Sequence, residues 1–290
     1  MAVLDLARVD TALQFADLIG KKVVLLDFWT YTRINCQRTI PYLNAWYEKY
    51  HDKGLEIVGI HTPEFEFEKK YENVKAAVAK LGIKYPVVLD SNQGTWDAYQ
   101  NRFWPNEYLI DKGGFIVYDH AGEGNYEKTE AKIQELLGEI ASARTQPKTA
   151  VEVNFSAVKS PETYFGAMRN EFLANGKQAI KGIQKFSIPP TIDQNKLYLE
   201  GDWDIQQEFA QNKSSKARIV FRYQAKNVYI VASAKKSLKV HVLVDGREQN
   251  VIEVKTEQLY TLVQGNDYLD RTLELIIEDP GLSAFTLTFG

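Results

Sequence analysis

The chain has 290 residues, 44% of them apolar and 25% charged, with a net charge of −3. That length suits two globular domains at roughly 100–200 residues each, and the slight acidity excludes a role built on neutralising phosphate or anionic lipid, so no nucleic-acid partner is expected. No apolar run reaches the ~18 residues of a membrane span, the N-terminus does not read as a signal peptide, and Cys36, the single cysteine, excludes an internal disulfide.

The first half alternates strand and helix signals. Val23 to Phe28 is a nearly continuous apolar run, the pattern of a strand buried on both faces. Ile40, Leu43, Tyr47 and Tyr50 recur at helical spacing and stop at Gly54. Leu55 to His61 is the next strand. Val74, Ala77, Val78 and Leu81 mark a second helix closed by Gly82, Tyr85 to Asp90 a third strand, and Thr95 to Arg102 a short helix. Glu107 to Ile110 and Phe115 to Tyr118 flank the turn Asp111-Lys112-Gly113-Gly114, a strong hairpin signal. Tyr126 to Ala143 reads as a closing amphipathic helix. This order predicts a mixed-sheet α/β domain over residues 1–145.

The character changes near Ser142. Residues 146–195 read as a linker with a short helix at Thr163 to Leu173. From 196 to 290 nearly everything is strand: 217–223, 228–232, 240–244, 251–254, 259–263, 272–277 and 284–289 alternate apolar and polar residues. Strands this short and this regularly spaced predict an all-β sandwich or jelly roll.

One segment carries chemistry. Phe28-Trp29 ends a strand, and Arg33-Ile34-Asn35-Cys36 opens a helix that contains Pro41. A Cys-x-x-Cys at such a helix start is the architecture of a thiol–disulfide exchange site, yet its first position is Arg33. Asp27 lies inside the apolar strand, where a carboxylate is costly unless paired or raised in pKa. Trp104-Pro105 precedes the hairpin strand and is a candidate cis peptide.

These residues resemble the thioredoxin superfamily, in its exported branch related to TlpA and peroxiredoxin-like proteins. The wording is similar above all to the C-terminal region of DipZ-like proteins, whose active-site phrase Phe-Trp-Thr-Tyr-Thr-Cys-Ile-Asn-Cys-Gln-Arg-Thr is matched from Phe28 to Thr39 except at Arg33. The likeness continues through Val58 to Phe65, Arg102 to Pro105, Pro161 to Tyr164 and Pro280 to Phe285. It implies a thioredoxin-like fold followed by a carbohydrate-binding-module-like sandwich, and a role in cytochrome c biogenesis. It also implies protein thiols or disulfides and a membrane electron donor as partners, and a periplasmic or extracellular location, with the cytoplasm as the alternative. By that resemblance Cys36 is the resolving-type thiol and Asp27 the buried proton acceptor. Trp29, Trp104, Pro105 and His61 line the substrate side, and Arg33 occupies the place of the attacking cysteine.

Disulfide exchange needs a thiolate to attack and a second thiol to release the mixed disulfide. With one thiol that cycle cannot close, so exchange is expected to be weak or absent. Arg33 also sets a cation at the positive end of the helix dipole, a mismatch of about 0.3–1 kcal/mol if exposed, although its charge would favour a thiolate at Cys36. The alternatives are a non-catalytic peptide- or glycan-binding protein and a single-cysteine peroxidase. The peroxidase needs a threonine three residues before its cysteine, where Arg33 stands. A glycan would stack on Trp203, Tyr198, Tyr223 or Tyr229 if they line an open face. Glu64-Phe65-Glu66-Phe67-Glu68 reads as a loop with a solvated acidic face. His51, His120 and His241 lack metal spacing, and neither metal nor cofactor is expected.

Overall fold

A computed structural model describes residues 3–4, 17–139, 147 and 153–290. The chain divides into two compact units, Met1–Val151 and Glu152–Gly290.

The first unit is built on a six-stranded mixed sheet. Its elements in chain order are β1 (Val3–Leu4), β2 (Val23–Trp29), α1 (Ile34–Tyr50), β3 (Leu55–His61), α2 (Tyr71–Leu81), β4 (Val87–Leu89), α3 (Gly94–Ala98), β5 (Asn106–Ile110), β6 (Ile116–Ala121) and α4 (Tyr126–Leu137). The spatial order is β1-β4-β3-β2-β5-β6. β2, β3 and β4 run parallel, whereas β5 and β6 add an antiparallel hairpin on the far side of β2. All seven residues of β2 are buried, as a strand central to a two-faced sheet requires. α2 ends where Gly82 takes a left-handed φ of 63°, a conformation that glycine adopts without a Cβ penalty. α4 stops in the same way at Gly138, so the helix predicted to Ala143 is shorter; residues 140–143 lie outside those described. α1 runs unbroken past Pro41, which has no N–H to return to the Gln37 carbonyl.

The second unit is all β. Its strands are β7 (Thr163–Tyr164), β8 (Gly182–Phe186), β9 (Leu197–Ile205), β10 (Ala210–Asn212), β11 (Ala217–Gln224), β12 (Asn227–Ala234), β13 (Leu238–Val244), β14 (Arg247–Val254), β15 (Gln258–Gln264), β16 (Asp270–Ile277) and β17 (Leu282–Phe289). They form one antiparallel path, β14-β13-β16-β11-β9-β10-β17-β12-β15, with β7 on β17 and β8 on β9. The two layers are joined through β9: Leu197–Glu200 pair with β11, while Trp203–Ile205 pair with β10. Between them Gly201 turns the strand at φ +93°, and a Cβ there would run into Ser214 Oγ.

Two expectations are corrected. Residues 153–195 are not a linker, because β7 and β8 belong to the sheet, and no helix forms over Thr163 to Leu173. The N–H groups that a helix would spend on itself go to neighbouring segments: Phe165 to Phe285 O, Ala167 to Gln206 O and Met168 to Gln207 O. The parts of the expected linker at residue 146 and over residues 148–152 lie outside the described residues.

The aromatics assigned to sugar stacking are also elsewhere. Trp203, Tyr198, Tyr223 and Tyr229 are all buried, Trp203 completely, with its Nε1–H donated to Glu200 O at 2.9 Å. They fill the core and offer no open face to a sugar ring. Trp203→Ala is therefore expected to destabilise this unit by about 3–5 kcal/mol in urea unfolding; a loss below ~1 kcal/mol would show that the side chain is not core.

Candidate functional site

β2 delivers the chain to a tight turn at Thr30-Tyr31-Thr32, and Arg33 then caps α1 with extended backbone (φ −89°, ψ 120°). Its side chain makes no capping bond, and the first turn of α1 holds no acidic residue. The cation is instead drawn aside. Arg33 Nε donates to Glu64 Oε2 at 3.0 Å and Nη2 to Glu64 Oε1 at 2.7 Å, a two-pronged pair. The guanidinium also lies over the Trp104 ring, 5.2 Å from its centroid. The dipole mismatch expected at this position is thus met by a carboxylate whose side chain is only 2% exposed.

The acidic loop is not the solvated face that its sequence implies. Glu68 is fully buried and accepts Thr32 Oγ1–H at 2.5 Å, the Glu64 N–H at 2.6 Å and the Phe65 N–H at 3.0 Å. Burial, then the Glu64 charge, push its carboxyl up, against the Thr30, Thr32 and Phe65 hydrogen bonds that pull it down. Only Glu66, paired with Lys69, is solvated. Glu64 and Glu68 are site residues that sequence reading missed; the signal available was their spacing around two phenylalanines, Phe65 and Phe67, which are both buried.

Cys36 sits in the first turn of α1 at 1% exposure. Burial raises its thiol pKa well above normal, with Asp27 adding to the rise; the Thr30 backbone and Arg33 oppose, and Glu68 reinforces. The activating effect expected from Arg33 is present but outweighed. Asp27, equally buried, is pushed up to about 8 by burial, and its Oδ1 has no hydrogen-bond partner among the described residues.

The expected substrate-side residues divide into two groups. Trp29 and His61 are both buried: the imidazole stacks on Tyr31 (5.7 Å), meets the edge of Trp29 (5.1 Å) and lies 3.4 Å from Thr30 Oγ1. Burial lowers the His61 pKa to about 3, so the ring is neutral. Trp104, by contrast, is at Arg33, and Pro105 follows it in the chain as a buried residue. The Trp104–Pro105 bond is cis, Trp104 Nε1 donates to Thr62 O at 3.0 Å, and its ring packs 4.2 Å from Trp96. Phe103 beside it is 55% exposed.

Among the described residues no group of three or more His, Cys, Asp and Glu side chains is arranged to hold a metal ion, and no helix is long and apolar enough to cross a membrane.

Residues 4–119 match the AhpC/TSA family, and residues 160–290 match the thioredoxin like C-terminal domain. Protein DipZ of Mycobacterium tuberculosis is 38% identical over 273 residues, which cover 93% of this chain and 39% of DipZ. The chain therefore spans about two fifths of that relative's length. The thiol–disulfide oxidoreductase YkuV of Bacillus subtilis is 30% identical over 122 residues, 42% of this chain and 82% of YkuV. The thiol–disulfide oxidoreductase ResA of Bacillus thuringiensis is 33% identical over 124 residues, 43% of this chain and 68% of ResA. With a mixed sheet, Cys36 in the first turn of α1 and a cis bond at Trp104–Pro105, the chain belongs to the thioredoxin superfamily, in its AhpC/TSA-type branch of thiol–disulfide oxidoreductases.

Proposed function

We propose that this chain is a redox-silent member of its family, which binds extended polypeptide at the surface around Arg33, Phe103 and Trp104 without turning over disulfides. The family's substrates are protein thiols and disulfides, and the cis Trp104–Pro105 bond and the Trp104 ring over Arg33 support a peptide-binding reading. The observation that carries the reading is the state of the two exchange positions. Where the attacking thiolate belongs, Arg33 is clamped by Glu64. The one remaining thiol is 1% exposed and raised in pKa, so it is neither ionised nor reachable.

The same two facts disfavour a peroxidase, which needs an accessible thiolate. Trp104 and the exposed Phe103 offer the apolar ground for a peptide. An extracytoplasmic location is kept as part of this proposal, on the resemblance to DipZ-like proteins; their membrane electron donor would find no dithiol here to reduce.

The test is insulin-disulfide reduction with dithiothreitol as donor. The unaltered chain is expected to add nothing to the rate of dithiothreitol alone, whereas Arg33→Cys gains a redox-active disulfide and measurable turnover. Turnover by the unaltered chain at a rate typical of thioredoxins would end the redox-silent reading. Binding is read separately, from the change in tryptophan fluorescence on adding an unstructured peptide, which Trp104→Ala should abolish.

A further inference from the structure

A second carboxylate faces Asp27 across the sheet. In the antiparallel ladder of β2 and β5, Asp27 stands directly opposite Glu107, so both side chains leave the same face with Cβ atoms about 4.5–5.5 Å apart. Each residue is 1% exposed. On the other side of Asp27 its parallel partner is Gly59, which has no side chain. Trp29 and Tyr85 fill that gap: a Cβ on Gly59 would come within 2.9 Å of Trp29 Nε1 and 3.2 Å of the Tyr85 ring. The Tyr85 hydroxyl, Trp29 Nε1 and Asp27 Oδ1 are all buried without a hydrogen-bond partner among the described residues.

The remaining neighbours are few. Cys36 faces the cluster from α1, and its thiol feels the Asp27 charge. From α4, Thr129 Oγ1 donates to Glu107 Oε2 at 3.1 Å. From β6, His120 is the register partner of Glu107, with its Nε2 buried and unpaired. Among the described residues, no lysine or arginine acts on Asp27 or Glu107.

Two carboxylates on adjacent strands, buried and without a cation acting on them among the described residues, cannot both be ionised at moderate cost. We propose that Asp27 and Glu107 hold one proton between them, and that Glu107, acting through Asp27, sets the protonation of the buried cluster beneath Cys36. Burial and the Asp27 charge push the Glu107 carboxyl up to about 8, the same level that burial alone gives Asp27. The proton balance is simple. When the Cys36 thiol ionises, its proton adds to the singly protonated pair; the pair becomes neutral, the sulfur becomes negative, and the net charge of the cluster is unchanged. The inference does not depend on whether the chain turns over disulfides, since it concerns the protons of the folded chain alone.

Carbon-13 NMR titration tests it, following the side-chain carboxyl carbons of Asp27 and Glu107 and the Cys36 Cβ in the full chain. In the unaltered protein both carboxyl carbons should trace the same two steps, separated by more than ~1 pH unit. Glu107→Gln should reduce Asp27 to a single step and lower the Cys36 midpoint by about one pH unit, a tenfold fall in proton affinity. Thr129→Val keeps both carboxyls and removes the donor that favours ionised Glu107. Between the two steps it should move the proton toward Glu107, shifting the two carboxyl carbons in opposite directions. Single independent steps in the unaltered chain would overturn the proposal. So would Asp27 and Cys36 curves that Glu107→Gln leaves in place, or a Thr129→Val effect confined to Glu107.

Discussion

Arg33→Ala is expected to destabilise the first unit by about 3–5 kcal/mol, far more than a half-exposed surface arginine would cost. The reason is Glu64. Its side chain is 2% exposed, and the Arg33 guanidinium meets both of its oxygens. A carboxylate this enclosed loses a two-pronged charge-assisted pair when that cation is removed. The neighbouring Glu68, fully buried, adds a second carboxyl to the same loop. Adding Glu64→Gln to Arg33→Ala should recover most of the loss, because the carboxylate that the guanidinium balanced goes with it; the double-mutant cycle isolates the pair. Lys84→Ala, which breaks an exposed pair with Glu48, serves as the reference and should cost under ~1 kcal/mol. Urea unfolding followed by tryptophan fluorescence reads the parent and the four variants Arg33→Ala, Glu64→Gln, Arg33→Ala/Glu64→Gln and Lys84→Ala. If Arg33→Ala matches Lys84→Ala, the clamp is not holding position 33. The same imbalance applies to Arg33→Cys, so the redox test is best run with Arg33→Cys/Glu64→Gln alongside it.

How much of this site was legible depends on whether it lay along the chain or across it. β2, the start of α1 and the lone thiol are local, and their residue pattern announces them. The cost of Asp27 in an apolar strand was readable for the same reason. Glu64 and Glu68 were not, because alternating glutamate and phenylalanine is equally compatible with a solvated loop. What decides is the turn at Glu66–Lys69, which points Phe65 and Phe67 inward and lets Glu68 collect two backbone N–H groups.

Glu107 was read as an ordinary strand residue. Its meaning comes from standing opposite Asp27, and register between strands so distant in sequence is a tertiary fact. In the second unit the strands were legible from their alternation, but not which aromatics point inward once the path curls through β9. Trp203 and Tyr223 look like a sugar platform in sequence and are core in three dimensions. The segment from Thr163 to Leu173 has helical spacing, yet its N–H groups are captured by β17 and by residues 206–207.

Asp27→Asn should change the pH dependence of stability more than any other single substitution in the first unit. In the unfolded chain the carboxyl has its ordinary value of 3.8; in the fold burial holds it at about 8. A raised folded-state value means that the contribution to stability is fully present below the unfolded value and is lost as pH rises through the folded one. Between about pH 4 and 8 the folded state keeps a proton that the unfolded state has released, so stability falls by about 1.4 kcal/mol per pH unit for that proton. Glu107 acts in the same direction on the same shared proton, so its contribution and that of Asp27 are not independent. Asn is nearly isosteric with protonated Asp and has nothing to titrate. At pH 4 the variant and the parent should therefore unfold at similar urea concentrations. Toward pH 8 the variant should become the more stable by several kcal/mol, and adding Glu107→Gln should flatten the slope further. The opposite sign, with Asp27→Asn losing ground as pH rises, would mean that the carboxylate is stabilised in its ionised form. The proton store beneath Cys36 would then be absent.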